Sequence, residues 1–450
     1  MRGMVADTRP LAEPHFRRLW QANIVTVVGA QLTVVAVPAQ VYADTGSSAY
    51  VGLTGVFGLV PLVVFGLWGG ALADVVDRRT LLTVTTLGLI GTSALFWVQA
   101  ALGSTNVWLL LSLFAVQQAF FAVNQPTRTA VLPRLLPAHL LPAANSLNMT
   151  VMMAGGIAGP LVAGALIPVL GLSWLYLLDT ISLLATLWAV VRLPPLPVEG
   201  APSGAPGLRS VVEGLTYLRS QPVLLMSFVV DIVAMVFGMP RALFPEIAHE
   251  TFRGPEEGGL AFAVLFAAIP AGAVLGGVLS GWVSRVEAQG RAVVVAILVW
   301  GTAMTGFGVA VGVAGAADGA GVRRVLLAVA AGMLVVGGAA DMASAAFRQS
   351  ILLSAANDAV RGRLQGVFIV VVAGGPRIAD VAHGAAAATV GTAVAAGGGG
   401  VLVVVGTVLV ALAVPSFVRY RVTAHPGGSA QQAQSAPAPQ SEDDSSSPRT

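Results

Sequence analysis

Six stretches of this 450-residue chain, 19–43, 45–73, 80–127, 258–284, 292–317 and 381–418, contain no acidic residue, lysine or arginine. Each is long enough to cross a bilayer, whose hydrocarbon core of about 30 Å takes ~20 apolar residues as a helix. The 80–127 run is too long for one crossing and divides at Leu102-Gly103-Ser104-Thr105-Asn106 into a helical hairpin. Hydrophobic residues make up 56% of the chain and charged ones 10%, against roughly 25% charged in soluble domains. The chain therefore reads as an all-α membrane protein.

Twelve spans are expected near 19–43, 50–73, 80–101, 107–127, 143–168, 173–192, 223–245, 259–283, 292–315, 323–346, 364–388 and 394–418. Arginine placement orients them by the positive-inside rule. With the N-terminus cytoplasmic, 19 of 24 arginines fall on or beside the cytoplasmic side, the exceptions being Arg241, Arg253, Arg323, Arg324 and Arg377. Both termini are then cytoplasmic. The expected organisation is a cytoplasmic segment 1–18, a six-helix half 19–192, a cytoplasmic linker 193–222, a second half 223–420 and a disordered tail 421–450. Pro194, Pro195, Pro197, Pro202 and Pro206 forbid a continuous helix in the linker. Beyond them, 208–220 has the pattern of a short amphipathic helix on the inner leaflet. The tail is too polar to fold.

The two halves carry a weak internal repeat, as pseudo-symmetric bundles do. Pro38 matches Pro245, Pro61 matches Pro270, and Gly69-Gly70 matches Gly276-Gly277. Arg78 matches Arg285, and Arg128 matches Arg348, in the same order.

Composition also excludes functions. A net charge of +3 offers no footprint for nucleic acid. All the basic residues are arginine, so there is no Walker A lysine and no Schiff-base lysine. Without cysteine there is no disulfide, haem attachment or thiolate metal site, and the five histidines form no H-E-x-x-H. No cofactor and no metal are expected, and no membrane enzyme either. Arg377, Asp380 and His383 at helical spacing are a thin basis for one.

The loop Gly70-Ala-Leu-Ala-Asp74-Val-Val-Asp77-Arg78-Arg79 sets two acids and two arginines between uncharged runs. It resembles the loop between helices 2 and 3 of the major facilitator superfamily of secondary transporters. That resemblance implies two pseudo-symmetric six-helix bundles working by alternating access. It gives Gly70, Asp74, Arg78 and Arg79 the role of a latch against the opposite half. Asp77 stands where glycine is common, and Val75 where a basic residue is common. A plain topogenic loop would need the same charges.

Gly155-Gly-Ile-Ala-Gly159-Pro160-Leu-Val-Ala-Gly164 puts small residues four apart around a helix-bending proline. It is similar to the glycine-proline motif of drug:proton antiporters, although tight packing also explains the glycines. Pro126-Thr-Arg128, Leu140-Leu-Pro-Ala-Ala-Asn145 and Asn357-Asp358-Ala-Val-Arg361-Gly362-Arg363 resemble the superfamily branch containing the enterobactin exporter and macrolide-efflux carriers.

Charges within spans are the sharpest site candidates, because each is costly unless paired or hydrated. At 1.5 Å per residue, Asp231 lies about 10 Å and Arg241 about 25 Å from the inner end of span 7. Arg377 and Asp380 lie about 20 and 24 Å along span 11. Those depths suit an Arg241–Asp380 pair better than an Asp231–Arg377 pair. Arg377 and Asp380 can also pair locally, three residues apart. Asp231 and Asp380 are the candidate proton-coupling acids, with Arg241 and Arg377 as partners, against a reading of static ion pairs. Asp179 reads as a helix-boundary acid. Arg128, Asp341 and Arg348 form an expected inner gate. Gly374-Gly375-Pro376 is expected to break span 11. Asn23, Gln31, Gln117, Gln118 and Asn124 could line a cavity or bond between helices.

The resemblance implies a monomeric exporter of a small organic molecule, a siderophore or lipophilic drug-like compound. It would exchange that cargo for protons across the cytoplasmic membrane of a bacterium. The alternatives are uptake of a small metabolite by symport, or a non-transporting receptor or scaffold.

Overall fold

The computed structural model describes residues 7–73, 76–196, 216–255, 257–355 and 358–421, with backbone alone at 67, 69–71, 73, 284, 353, 355 and 358–370. Among them twelve long helices follow one another: α1 Pro14–Thr45, α2 Ser48–Ala73, α3 Arg78–Ala101, α4 Val107–Leu135, α5 Leu141–Leu170, α6 Leu172–Val191, α7 Pro222–Gly238, α8 Gly259–Val278, α9 Gln289–Gly315, α10 Ala320–Ala355, α11 Asp358–Val390 and α12 Thr392–Ala413. Eleven described helical segments are long and apolar enough to span a membrane, and α11 runs for 33 residues.

Local chemistry sets the joints. Asn106 caps α4 by accepting from Leu109 N at 3.1 Å. Gly171 turns α5 into α6 at φ +80°, and Gly391 turns α11 into α12 at the same φ, a region open mainly to glycine. These two glycines are 220 residues apart, the same separation as Arg128 and Arg348, so the repeat extends to the hairpins.

Asp77 caps α3, accepting from Thr80 N at 2.9 Å and from Leu196 N at 2.8 Å. Partial burial pushes its carboxyl up, but these hydrogen bonds together outweigh it and hold the group below the ordinary carboxylate value. A lowered folded-state pKa stabilises above the unfolded value of about 3.9 and is lost as pH falls through the folded value. Asp77→Ala is expected to cost about 1 kcal/mol at neutral pH. Thermal unfolding in detergent should show that difference shrinking below pH 4.

Three expectations about the helices are corrected. The span expected over 223–245 is present and runs on to Thr251, but not as one helix: α7 stops at Gly238, and a 3-10 turn (Arg241–Leu243), a short α turn (Phe244–Glu246) and a π turn (Ile247–Thr251) complete it. Pro240 supplies no N–H, so the last carbonyls of α7 need other donors. Ala234 O accepts from Trp300 Nε1 at 3.2 Å, and Phe237 O from His383 Nε2 at 3.1 Å. Conversely, Pro376 does not break α11, which continues to Val390. Proline inside a helix forfeits only one ladder bond, which close packing by neighbouring helices tolerates. Gly374 packs against Leu59 and Gly375 against Met235. The expected span over 259–283 likewise ends at Val278, before a 3-10 turn, Ser280–Arg285.

Within the first half α1 packs on α5 and α6, α3 on α4 and α6, and α2 on α4; in the second, α9 packs on α10 and α12, α8 on α10, and α7 on α11 and α12. The halves meet chiefly through α2–α11 and α5–α8. Buried apolar residues make one core that runs the length of the second half, to Phe347 and Phe417, and joins the first half toward the end carrying the α1–α2 turn, through Val35, Tyr42, Val51, Ile167, Phe244 and Phe262. At the end carrying the N-terminus, the first half has separate clusters around Leu19 and Leu82, around Phe16 and Leu147, and at Leu81 and Val123. The halves thus close on each other at the α1–α2 end, and among the described residues no cluster of the first half at the terminal end, the splayed end below, includes a residue of the second half.

The linker from 197 to 215, the tail beyond 421 and the first six residues lie outside the described residues. The described end of the linker, at 216–219, is helical, with Leu218 buried in the core and Thr216 and Arg219 exposed; the rest of the expected helix over 208–220, up to 215, lies outside the described residues.

Candidate substrate chamber and charge clusters

Glycine builds the seam between the halves. A methyl group added at Gly52 of α2 would lie 2.7 Å from the Asp380 carbonyl oxygen and 3.2 Å from Gly384 Cα of α11. One added at Gly55 would overlap the Arg377 carbonyl, and one at Gly58 would press on the Arg377 guanidinium at 3.1 Å. Glycines at 52, 55 and 58 thus present bare backbone to α11. That spacing was visible in the sequence and was missed. On the α5–α8 side the antiporter-like motif divides its work. Gly155 and Gly159 face Val27 and Gln31 of α1, whereas Gly164 faces Ala263 of α8 across the seam, with Pro160 buried between.

Toward the closed end, Ser48 Oγ donates to Glu246 Oε2 between the halves, and the Tyr42 and His249 rings lie 6.3 Å apart. Just below this seal, a cavity of about 20 Å³ is lined by Val34, Pro38, Val51, Thr54 and Phe114 from the first half and Arg241, Ala242, Arg377 and Asp380 from the second. It has room for about one water molecule.

Around that cavity Arg241 Nη2 donates to Asp380 Oδ2 at 3.0 Å. Asp380 is buried, and its Oδ1 has no hydrogen-bond partner. Arg377, which lines the same cavity as Asp380, makes its hydrogen bond elsewhere. Its Nη2 donates across the seam to Gln118 Oε1 at 3.1 Å, and its guanidinium carbon lies 5.3 Å from the centre of the Phe114 ring. The Phe114 contact had no signal in the sequence beyond an apolar residue on a helix.

A second cluster lies wholly within the second half. Asp231 Oδ1 on α7 is paired with Arg348 Nη1 on α10, both side chains buried. Asp341 Oδ1 stands 3.9 Å from Arg348 Nη2, with 26% of its side chain exposed. Arg348, expected at a gate with Arg128, is therefore the partner that Asp231 lacked in the sequence. Arg128 sits half-buried on α4, in the other half.

Of the latch, Asp74 lies outside the described residues, and of Gly70 only the backbone, inside α2, is described. Arg79 Nη2 donates to Val191 O of α6 at 2.7 Å, within the first half, and Arg78 N to Leu196 O at the start of the linker at 3.3 Å; neither contact reaches the second half. Asn357 and the side chains of Asp358, Arg361 and Arg363 also lie outside the described residues. Asn124 bonds Thr85 and Thr86 of α3 at 2.8 and 3.3 Å. Asn23 and Gln117 are buried, and Gln31 is half-buried against Gly159. Asp179 is no boundary acid. It is buried mid-way along α6, accepting from Thr33 at 2.7 Å and Ser93 at 2.9 Å, and so ties α1, α3 and α6 together.

Comparison with known proteins places this architecture. Residues 5–430 match the family described as transmembrane secretion effector. The chain belongs to that family, within the major facilitator superfamily. Among its relatives, the enterobactin exporter EntS of Shigella boydii is 30% identical over 283 residues, covering 60% of this chain and 63% of that protein. The enterobactin exporter EntS of Citrobacter koseri is 29% identical over 277 residues with the same coverage. The match thus spans just under two thirds of these relatives' length. The crystal structure of the nucleoside transporter NupG superposes with a TM-score of 0.69 at 13% identity, covering 91% of this chain and 100% of that one. A bacterial homologue of the iron transporter ferroportin in its inward-facing state gives 0.65 at 13%, covering 90% and 98%. These structures share the fold, that of a multi-pass membrane transporter with twelve helices in two six-helix bundles.

Proposed function

We propose that this protein exports a small organic molecule across the membrane by alternating access, in exchange for protons. The observation that carries the reading is the chamber itself: a charged site formed by both halves, sealed at one end behind a glycine seam and splayed at the other. The relatives named as enterobactin exporters support export. The arginine distribution supports a cytoplasmic terminal end, so that the splayed side opens inward. Residues 19–192 and 223–420 are the two moving bodies, 193–222 their linker, and the latch loop at 70–79 would engage when the terminal end closes.

Proton coupling is assigned to the Asp231–Arg348–Asp341 cluster. Two carboxylates share one guanidinium, so one proton can be taken up without leaving an unpaired cation in the membrane. Asp341 gives the proton a path from the splayed side, being partly exposed. Asp380, beside Arg241, serves as fixed counter-charge.

The test is substrate-dependent proton movement in inverted vesicles, read with a pH-sensitive dye. The panel holds catecholate siderophores, macrolides and hydrophobic cations. A proton signal elicited by one compound class, at least about tenfold smaller in Asp231→Asn or Asp341→Asn and retained in Asp380→Asn, is the expected result. An unchanged signal in both cluster variants makes them structural ion pairs. Silence with every compound overturns proton-driven export of these cargoes.

A further inference from the structure

Arg377 is the one group of the chamber whose charge the lining residues leave unbalanced. Among the residues lining the cavity are two guanidiniums and one carboxylate, and Arg241 already takes that carboxylate. The Arg377 guanidinium instead meets a neutral amide, Gln118, and the face of Phe114. A cation is expensive at this depth. A cation–π contact and one amide bond return only part of what water gave it.

Gly58 and Gly55 hold the arginine in that position by letting the α11 backbone and the guanidinium lie directly against α2. The same residue closes the seam: its bond to Gln118 crosses from α11 to α4 and must break when the halves part. The Gly374–Leu59 contact lies one turn nearer the splayed end. Arg377 therefore stands deeper than that contact, on the seam between the halves beside the cavity. Val34, Pro38, Val51 and Phe114 make the rest of the lining of the one-water cavity beside it apolar and partly aromatic.

On these grounds we infer that the cargo is a small organic anion. Its carboxylate or equivalent oxyanion is bound by Arg377 in place of Gln118, and its apolar or aromatic body rests on Phe114 and the α1 face. A guanidinium offers paired donors to such an oxyanion. Asp380 screens Arg241 and so keeps the site selective for a single negative charge.

This inference deepens the export reading and rests on it for the word cargo. Its test, equilibrium binding to the purified full-length chain in detergent, is blind to direction and coupling. The probes are matched pairs of equal shape: benzoate with benzamide, salicylate with salicylamide, and naphthoate with naphthamide. Thermal shift and calorimetry should show the carboxylates binding the wild type at least about tenfold more tightly than their amides. Arg377→Gln should remove that preference while Arg377→Lys keeps part of it. Asp380→Asn, by freeing Arg241, should tighten carboxylate binding about tenfold.

Equal binding of acids and amides by the wild type, or no binding of either, overturns the inference. So does a preference that survives Arg377→Gln. If that variant does not fold, Asp380→Asn decides: unchanged or weaker carboxylate binding overturns it. Carboxylate selectivity found together with a silent proton assay would remove only the antiport reading.

Discussion

Arg348→Ala is expected to be among the most damaging single substitutions in the second half. The guanidinium is 3% exposed and holds Asp231, itself buried, while Asp341 stands within 3.9 Å. Removing it leaves two carboxylates facing each other in a region of low dielectric. Breaking one side of a buried ion pair costs about 3–5 kcal/mol, several times the ~1 kcal/mol scale of ordinary substitutions. Unfolding in mixed micelles should read that loss. The combination Arg348→Gln with Asp231→Asn and Asp341→Asn should recover most of it, because an amide set of similar shape leaves no uncompensated charge. A single variant that unfolds within 1 kcal/mol of wild type would mean that water or other donors already neutralise the cluster.

Gly55→Val acts on conformation rather than on folding. Even one methyl group at this position overlaps the Arg377 carbonyl, and backbone cannot swing aside as a side chain can. Overpacking costs about 1–3 kcal/mol, and here it falls only on the state in which α2 and α11 touch. The closed α1–α2 end should lose population by about 10- to 100-fold, and transport should fall with it.

The chain contains no cysteine, so Thr54→Cys gives a clean reporter. Thr54 is 3% exposed behind the seal. A membrane-impermeant maleimide added from the α1–α2 side should label it slowly in the wild-type background and much faster with Gly55→Val. Equal labelling rates would mean that the glycine seam does not govern access from that side.

Much of this architecture was legible in order of residues alone. Uncharged runs of membrane length define helices because hydrocarbon leaves the backbone no partner but itself. The hairpin at Leu102–Asn106 and the twelve spans follow from that constraint. So did the Arg241–Asp380 geometry, since a helix converts residue number into depth at a fixed rise. The breaks were less legible. Pro376 carries the stronger sequence signal, yet α11 runs through it and α7 stops at Gly238. Whether a proline interrupts a membrane helix depends on which neighbours pack there and which donors can take the freed carbonyls. Here His383 does so for α7, at Phe237 O.

The sequence by itself determined that the chain crosses a membrane in helices, that its few intramembrane charges are special, and how deep each lies. Only the tertiary structure decided the partners. It joined Asp231 to Arg348 over 117 positions, turned Arg377 to Gln118 instead of Asp380 three residues away, and set Asp179 among Thr33 and Ser93. Depth is a property of one helix and can be counted along it. Partnership depends on the rotation and crossing of two helices, which glycines such as Gly52 and Gly55 fix by letting backbones touch.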